Sequence, residues 1–249
     1  VALAAAFGVS LVLVLPAPVP ASPAGTPASA ARARVAVIGD SLTVGTLIYG
    51  DPSHLRRALA TTTVRLGPKP SARVGRKVSQ GLRILARADR LPRVVLVELG
   101  TNNWRAGSDR AARWIARARA ALGPSRTLYW VNLRMVGTRY ERHRAVNAGL
   151  RRGVAADNRR AVASGWSGRS YVLDWSRYSR RMGVAPGRDG IHYSPFGYGV
   201  LARFVAGSLD QRPAYAAFRI PRAWPTRESV PTDSPAPAPL PTATPPLDA

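Results

Sequence analysis

The 249-residue sequence predicts an α/β fold in which a parallel sheet is covered by helices on both faces. Two observations carry this expectation. Five short runs rich in Val, Leu or Tyr recur at residues 34–38, 62–66, 93–98, 127–132 and 170–174, each of strand length and bounded by turn-forming residues. Between them lie segments with apolar residues at helical spacing, and strands that alternate with helices join in parallel through right-handed crossovers. A hydrophobic fraction of 46% is ordinary for one globular domain.

Taken in order, residues 1–15 are apolar and uncharged, stop at Pro16, and lead through a Pro/Ala/Ser segment to Ala28-Ser-Ala30. The small residues there fit a cleavage site, so residues 1–30 read as an export signal peptide. The alternative is a membrane anchor, although the apolar run is short of the roughly 20 residues a span needs. Both readings place the remainder of the chain, residues 31–221, outside the cytoplasm.

The first strand, Val35-Ala-Val-Ile38, ends abruptly at Gly39-Asp40-Ser41, where glycine permits a tight turn and a serine is delivered to the strand's C-terminal end. The clearest helix follows Ser108, taken as its N-cap. It places Ala111, Trp114, Ile115, Ala118 and Leu122 on one face, Arg110, Arg113 and Arg117 on another, and stops at Gly123-Pro124. A second runs from about Glu141 to Val162, with Val146, Leu150 and Val154 in register. The last opens on Ser194-Pro195, an N-cap followed by a first-turn proline, and carries Val200, Leu201, Phe204 and Val205. Residues 222–249, dominated from Pro231 by Pro, Ala and Thr, read as a disordered tail.

Composition narrows the chemistry. With no cysteine and three scattered histidines, His54, His143 and His192, no disulfide and no metal site is expected, and nothing calls for a cofactor. Residues 1–30 carry no charge and residues 222–249 carry two arginines against three acids. The formal net charge of +24 therefore becomes +25 for residues 31–221. Such a surface attracts anions, but the basic residues are spread along the chain without a basic arm or nucleic-acid motif. A generally cationic surface is expected, with no specific nucleic-acid partner.

Three further stretches lie where a parallel sheet gathers ligands, outside the carboxyl ends of its strands. Gly75 falls between the second strand and the next helix, Gly100-Thr-Asn102 follows the third strand, and Asp189-Gly-Ile-His192 precedes the last helix. A serine is a weak nucleophile alone. It needs a base, a group to orient the base and donors for an oxyanion, and these stretches offer all three. Asp40, Asp51 and Asp174 are read as structural.

In these blocks the chain resembles the SGNH hydrolases of the GDSL esterase and lipase group, over roughly residues 34–210. Gly39-Asp40-Ser41-Leu42 is similar to the family's first block, Gly75 to the glycine of its second, Gly100-Thr101-Asn102 to its third and Asp189-Gly190-Ile191-His192 to its last. The resemblance implies a three-layer α/β/α, flavodoxin-like fold on a five-stranded sheet. It implies Ser41 as nucleophile, His192 as base and Asp189 as its partner, with Ser41 N–H, Gly75 N–H and the Asn102 amide as the oxyanion hole. Val131-Asn-Leu-Arg134, Tyr140 to Asn147, Val172-Leu-Asp-Trp175 and Asp189 to Gly197 are further similar to extracytoplasmic SGNH domains of membrane acyltransferases that O-acetylate cell-wall sugars. The expected activity is that of an exported serine esterase acting on an acyl ester, an O-acetyl group on an envelope glycan, and a monomer is expected. An acyltransferase with the same triad is one alternative, and a non-catalytic cationic envelope-binding protein is another.

Overall fold

The computed structural model describes residues 32–210 except 51, 68 and 69; the expected signal segment, the tail and Asp51 lie outside the described residues. Within them the order is β1 (Ala33–Gly39), α1 (Ser41–Ile48), α2 (His54–Ala60), β2 (Val64–Leu66), β3 (Ser71–Ala72), α3 (Val78–Arg87), β4 (Val94–Glu98), α4 (Ser108–Leu122), β5 (Thr127–Val131), α5 (His143–Ala163), β6 (Ser170–Leu173), α6 (Trp175–Arg181) and α7 (Pro195–Leu209). All strand pairs are parallel, in the order β2-β1-β4-β5-β6, with β3 also beside β1.

Among the described residues six strands are present where five were expected, and the difference lies in one place. The run at 62–66 contributes only Val64–Leu66; the chain leaves at Gly67 and returns as Ser71–Ala72, opposite Ile38 and Gly39. Gly67-Pro68-Lys69-Pro70 explains the break, because a proline has no N–H to give to a ladder. Both pieces occupy one position beside β1, so the order is the doubly wound one in which the chain starts near the middle and reverses direction.

Alternation along the strands divides the core into two. Val35, Val37 and Leu96 pack on one face with Leu42, Leu55, Trp175, Tyr198 and Leu201, from α1, α2, α6 and α7. Ile38, Val95 and Val97 pack on the other with Leu82, Ile115 and Leu150, from α3, α4 and α5. This is the expected three-layer arrangement, and β4 is buried along its whole length because both its faces are covered. Two fully buried tryptophans have their ring N–H groups paired, Trp130 with the Leu99 carbonyl (3.0 Å) and Trp175 with the Tyr193 hydroxyl (2.9 Å).

Local expectations hold in part. Ser194 caps α7, accepting from Gly197 N–H (3.3 Å), with Pro195 in the first turn. In α4, by contrast, Gly107 occupies the cap position and Ser108 is the first helical residue, with no side-chain cap bond. The expected helix start at Glu141 moves to His143, behind a 3₁₀ turn over Thr138–Tyr140. Arg119 of α4 turns inward, where its guanidinium pairs with Asp157 of α5 at 3.0 Å and donates to Ser170 of β6 at 2.9 Å. Removing one member of such a pair strands the other charge in the core, which costs about 3–5 kcal/mol.

Candidate active site

The site is built where β1 ends. Asp40 caps α1, its carboxylate accepting from Leu42 N–H (3.1 Å), and so places Ser41 at the first helical position, where backbone N–H groups have no partner within the helix. Gly39 does not take a positive φ, contrary to its expected turn role. It is needed for closeness: a Cβ there would lie 1.8 Å from Thr43 Oγ1. Ser41 is buried, with 4% of its surface exposed.

The segment before α7 is folded on itself by Gly187 N–H to His192 O (2.7 Å) and Gly190 N–H to Gly187 O (2.9 Å). It is anchored on the loop after β5 by Val136 N–H to Gly190 O (3.0 Å). Within it Asp189 Oδ1 accepts from the N–H groups of Ile191 and His192 at 2.9 Å each, leaving Oδ2 2.5 Å from His192 Nδ1. His192 Nε2 in turn lies 2.9 Å from Ser41 Oγ. An ionised carboxylate can only accept, so the Nδ1 proton points to Asp189 and Nε2 is left as the acceptor for the Ser41 hydroxyl. Partial burial pushes the Asp189 carboxyl up, but the bonds from the His192 ring and the two backbone N–H groups outweigh it and hold Asp189 below the usual carboxylate range.

The remaining expected residues lie on the same edge of the sheet. Gly75 has φ +71, in the left-handed region that favours glycine, and a Cβ built there meets nothing within 4 Å, so its backbone stays open to a ligand. Asn102 stands exposed in the 3₁₀ turn after β4 and donates from Nδ2 to the Arg76 carbonyl (3.2 Å), which ties it to the residue after Gly75. An amide nitrogen has two protons, so one is left for a ligand. Asp174 is structural, as expected: it caps α6 through Arg177 N–H and accepts from Asn132 (2.7 Å). Among the described residues no cluster of three metal-ligating side chains occurs.

Sequence reasoning missed two buried charged side chains at the end of β1. Glu98, at the C-terminal end of β4, is paired in register with Gly39 and accepts from Thr43 Oγ1 at 2.5 Å. Burial pushes its carboxyl up to about 8, and the neighbouring Asp40 charge adds to this. Burial likewise pushes Asp40 up to about 6. Arg76 is also buried and donates to the carbonyls of Gly39 (3.1 Å) and Ser71 (2.5 Å), stitching the Gly75 segment to β1. The signal for Glu98 is visible in Val94-Val-Leu-Val-Glu98, a carboxyl closing an otherwise apolar run; for Arg76, one of three basic residues from Arg73 to Lys77, no local signal exists.

A pH dependence follows. Glu98 and Asp40 keep protons in the fold that the unfolded chain releases near their ordinary values of 4.5 and 3.8, so they lower stability as pH climbs from about 4 to about 8 and add no further change above it. Glu98→Gln preserves shape and removes the larger contribution. The melting temperature of wild type relative to this variant is expected to fall between pH 5 and pH 8, measured by thermal denaturation at a series of pH values. Parallel curves would show that Glu98 does not titrate differently in the two states.

No protein-family model matches the chain, and no curated protein matches it. Solved structures do. The chain is similar to a lipolytic protein of the G-D-S-L family from Veillonella parvula, with TM-score 0.55 and 16% identity over 72% of this chain and 98% of the other. It is also similar to the C-terminal catalytic domain of peptidoglycan O-acetyltransferase A from Streptococcus pneumoniae, with TM-score 0.51 and 16% identity over 72% and 93%. A third likeness is to an acetyl xylan esterase from Geobacillus stearothermophilus, with TM-score 0.52 and 14% identity over 77% and 97%. The three-layer arrangement is thus the SGNH hydrolase fold.

Proposed function

We propose that this chain is an exported serine esterase that cleaves an acyl ester, in particular an O-acetyl group of an envelope glycan. The unbroken Asp189–His192–Ser41 hydrogen-bond chain at the carboxyl edge of the sheet is the observation that carries this reading. His192 Nε2 takes the proton as Ser41 Oγ attacks the ester carbonyl, and Asp189 holds the ring in the required tautomer and stabilises the imidazolium. The negative charge that develops on the carbonyl oxygen is met by the N–H groups of Ser41 and Gly75 and the second Asn102 amide proton. Collapse expels the alcohol with the proton from His192. Water, activated by the same ring, then releases the acid and restores Ser41.

Acyl transfer differs only in the final acceptor, a sugar hydroxyl in place of water. The likeness to a peptidoglycan O-acetyltransferase catalytic domain supports keeping this second reading. No helix among the described residues is long and apolar enough to cross a membrane; export rests on residues 1–30.

One experiment tests both. The protein is incubated with an acetylated aryl ester, with and without a sugar acceptor, and products are quantified. Free acetate in both conditions is expected of the hydrolase, and acetylated sugar identifies the transferase. No release of the aryl alcohol in either condition would overturn the reading.

A further inference from the structure

Away from Ser41, the carboxyl edge holds a concave region. A cleft of roughly 760 Å³, within the usual size of ligand sites, opens between the loop after β5, the start of α5 and the first turns of α6. Arg134, Arg144, Arg151 and Arg180 line it, with Glu141 and Asp174 as the acidic members. Asp174 is already committed to Asn132 and to the α6 cap. None of the four arginines forms an ion pair among the described residues.

Arginines abound in this chain, so their number alone means little; their crowding does. Burial and the charge of Arg180 both act against the protonated form of Arg134, whose Nε is buried without a hydrogen-bond partner among the described residues. His143, buried and pinned through Nδ1 to the Tyr140 carbonyl (2.7 Å), is pushed below the usual imidazole range by burial first and then by the charges of Arg144, Arg134 and Arg180, against the opposing bond to Tyr140. Four guanidinium groups therefore line one cleft, and among the described residues none of them is paired with Glu141 or Asp174. Like charges held together in a concave site are offset by an anion, and guanidinium matches the geometry of carboxylate and phosphate oxygens.

The cleft is joined to the catalytic loop. The Tyr193 hydroxyl donates to Arg134 O (3.3 Å), the Tyr140 hydroxyl to Asp189 O (3.2 Å) and Val136 N–H to Gly190 O (3.0 Å). β5, which leads into the cleft, stands two places from β1, which leads into Ser41. Two strand spacings come to about 10 Å. An oligosaccharide spans that distance and a lone acetyl ester does not.

We propose that this arginine cleft binds an anionic substituent, a carboxylate or a phosphate, on the same glycan that presents its acyl ester to Ser41. The inference rests on the esterase reading and adds a substrate class to it: acylated anionic glycans.

The test compares wild type with R144Q/R180Q, both exposed positions outside the catalytic machinery, and with R113Q/R117Q, which removes the same charge from the outer face of α4. Substrates are a neutral aryl acetate, an acetylated neutral glycan, an acetylated polyuronate and an acetylated polyol-phosphate polymer. R144Q/R180Q is expected to lose about tenfold or more in kcat/KM on one or both anionic polymers, the scale of one charged hydrogen bond, and nothing on the two neutral substrates. Loss on the polyuronate identifies a carboxylate, and loss on the polyol phosphate a phosphate. Equal losses in R113Q/R117Q, or none in R144Q/R180Q, would overturn the proposal. Binding of deacetylated polymers to the Ser41→Ala protein, followed by calorimetry, reads the cleft without turnover. Weaker binding in the R144Q/R180Q background supports the cleft even if the esterase reading fails, and unchanged binding overturns it.

Discussion

Ser41→Ala and His192→Ala are each expected to reduce ester turnover by on the order of 10⁶-fold in kcat, the scale seen when a serine hydrolase loses its nucleophile or base. In the proposed roles the two side chains, 2.9 Å apart, act as one unit: the ring has nothing to deprotonate without the hydroxyl, and the hydroxyl attacks poorly without the ring. The double variant should therefore be barely slower than either single one. Both substitutions leave the anchoring bonds of the catalytic loop untouched, since those run through backbone groups of Gly187, Gly190 and His192 and the carboxylate of Asp189. Circular dichroism and melting should stay near wild type. Losses that multiply in the double variant would show that Ser41 and His192 work independently, and the nucleophile–base assignment would be abandoned.

Asp189→Asn is the second large effect, expected at about 10⁴-fold in kcat with little change in KM. Asparagine retains an oxygen that can accept from Ile191 and His192 N–H, so the loop keeps its shape. Its amide nitrogen, however, cannot accept from His192 Nδ1. The ring is then driven toward the tautomer with the proton on Nε2, facing Ser41, where it is useless as a base. Substrate contacts are not involved, and for that reason KM is the control. Activity near wild type would mean that a Ser–His dyad suffices or that another group orients the ring.

Much of this site was legible locally. Gly39-Asp40-Ser41 announces itself as the end of a buried run, Asp189 and His192 lie three apart in one loop, and Ser194-Pro195 marks the following helix; each rests on turn and cap chemistry acting within a few residues. The reasons behind some positions were not legible. Gly39 was expected for a turn and is required instead by Thr43, which presses on it once α1 folds back. Gly107, not Ser108, occupies the cap of α4, a choice between neighbours that local pattern does not resolve.

By itself, the sequence determined the α/β class, the order of strands and helices and the residues that gather at the carboxyl edge, because strand and helix periods and glycine or proline punctuation are properties of short stretches. Tertiary structure decided that Glu98 is buried against Thr43 and beside Gly39. It turned Arg119 inward to Asp157 and drew Arg134 and Arg180 together in one cleft. Those outcomes depend on desolvation and on charges brought close from distant parts of the chain. The bond between Ser41 and His192 closes a loop of 151 residues, and no pattern within either stretch encodes that distance.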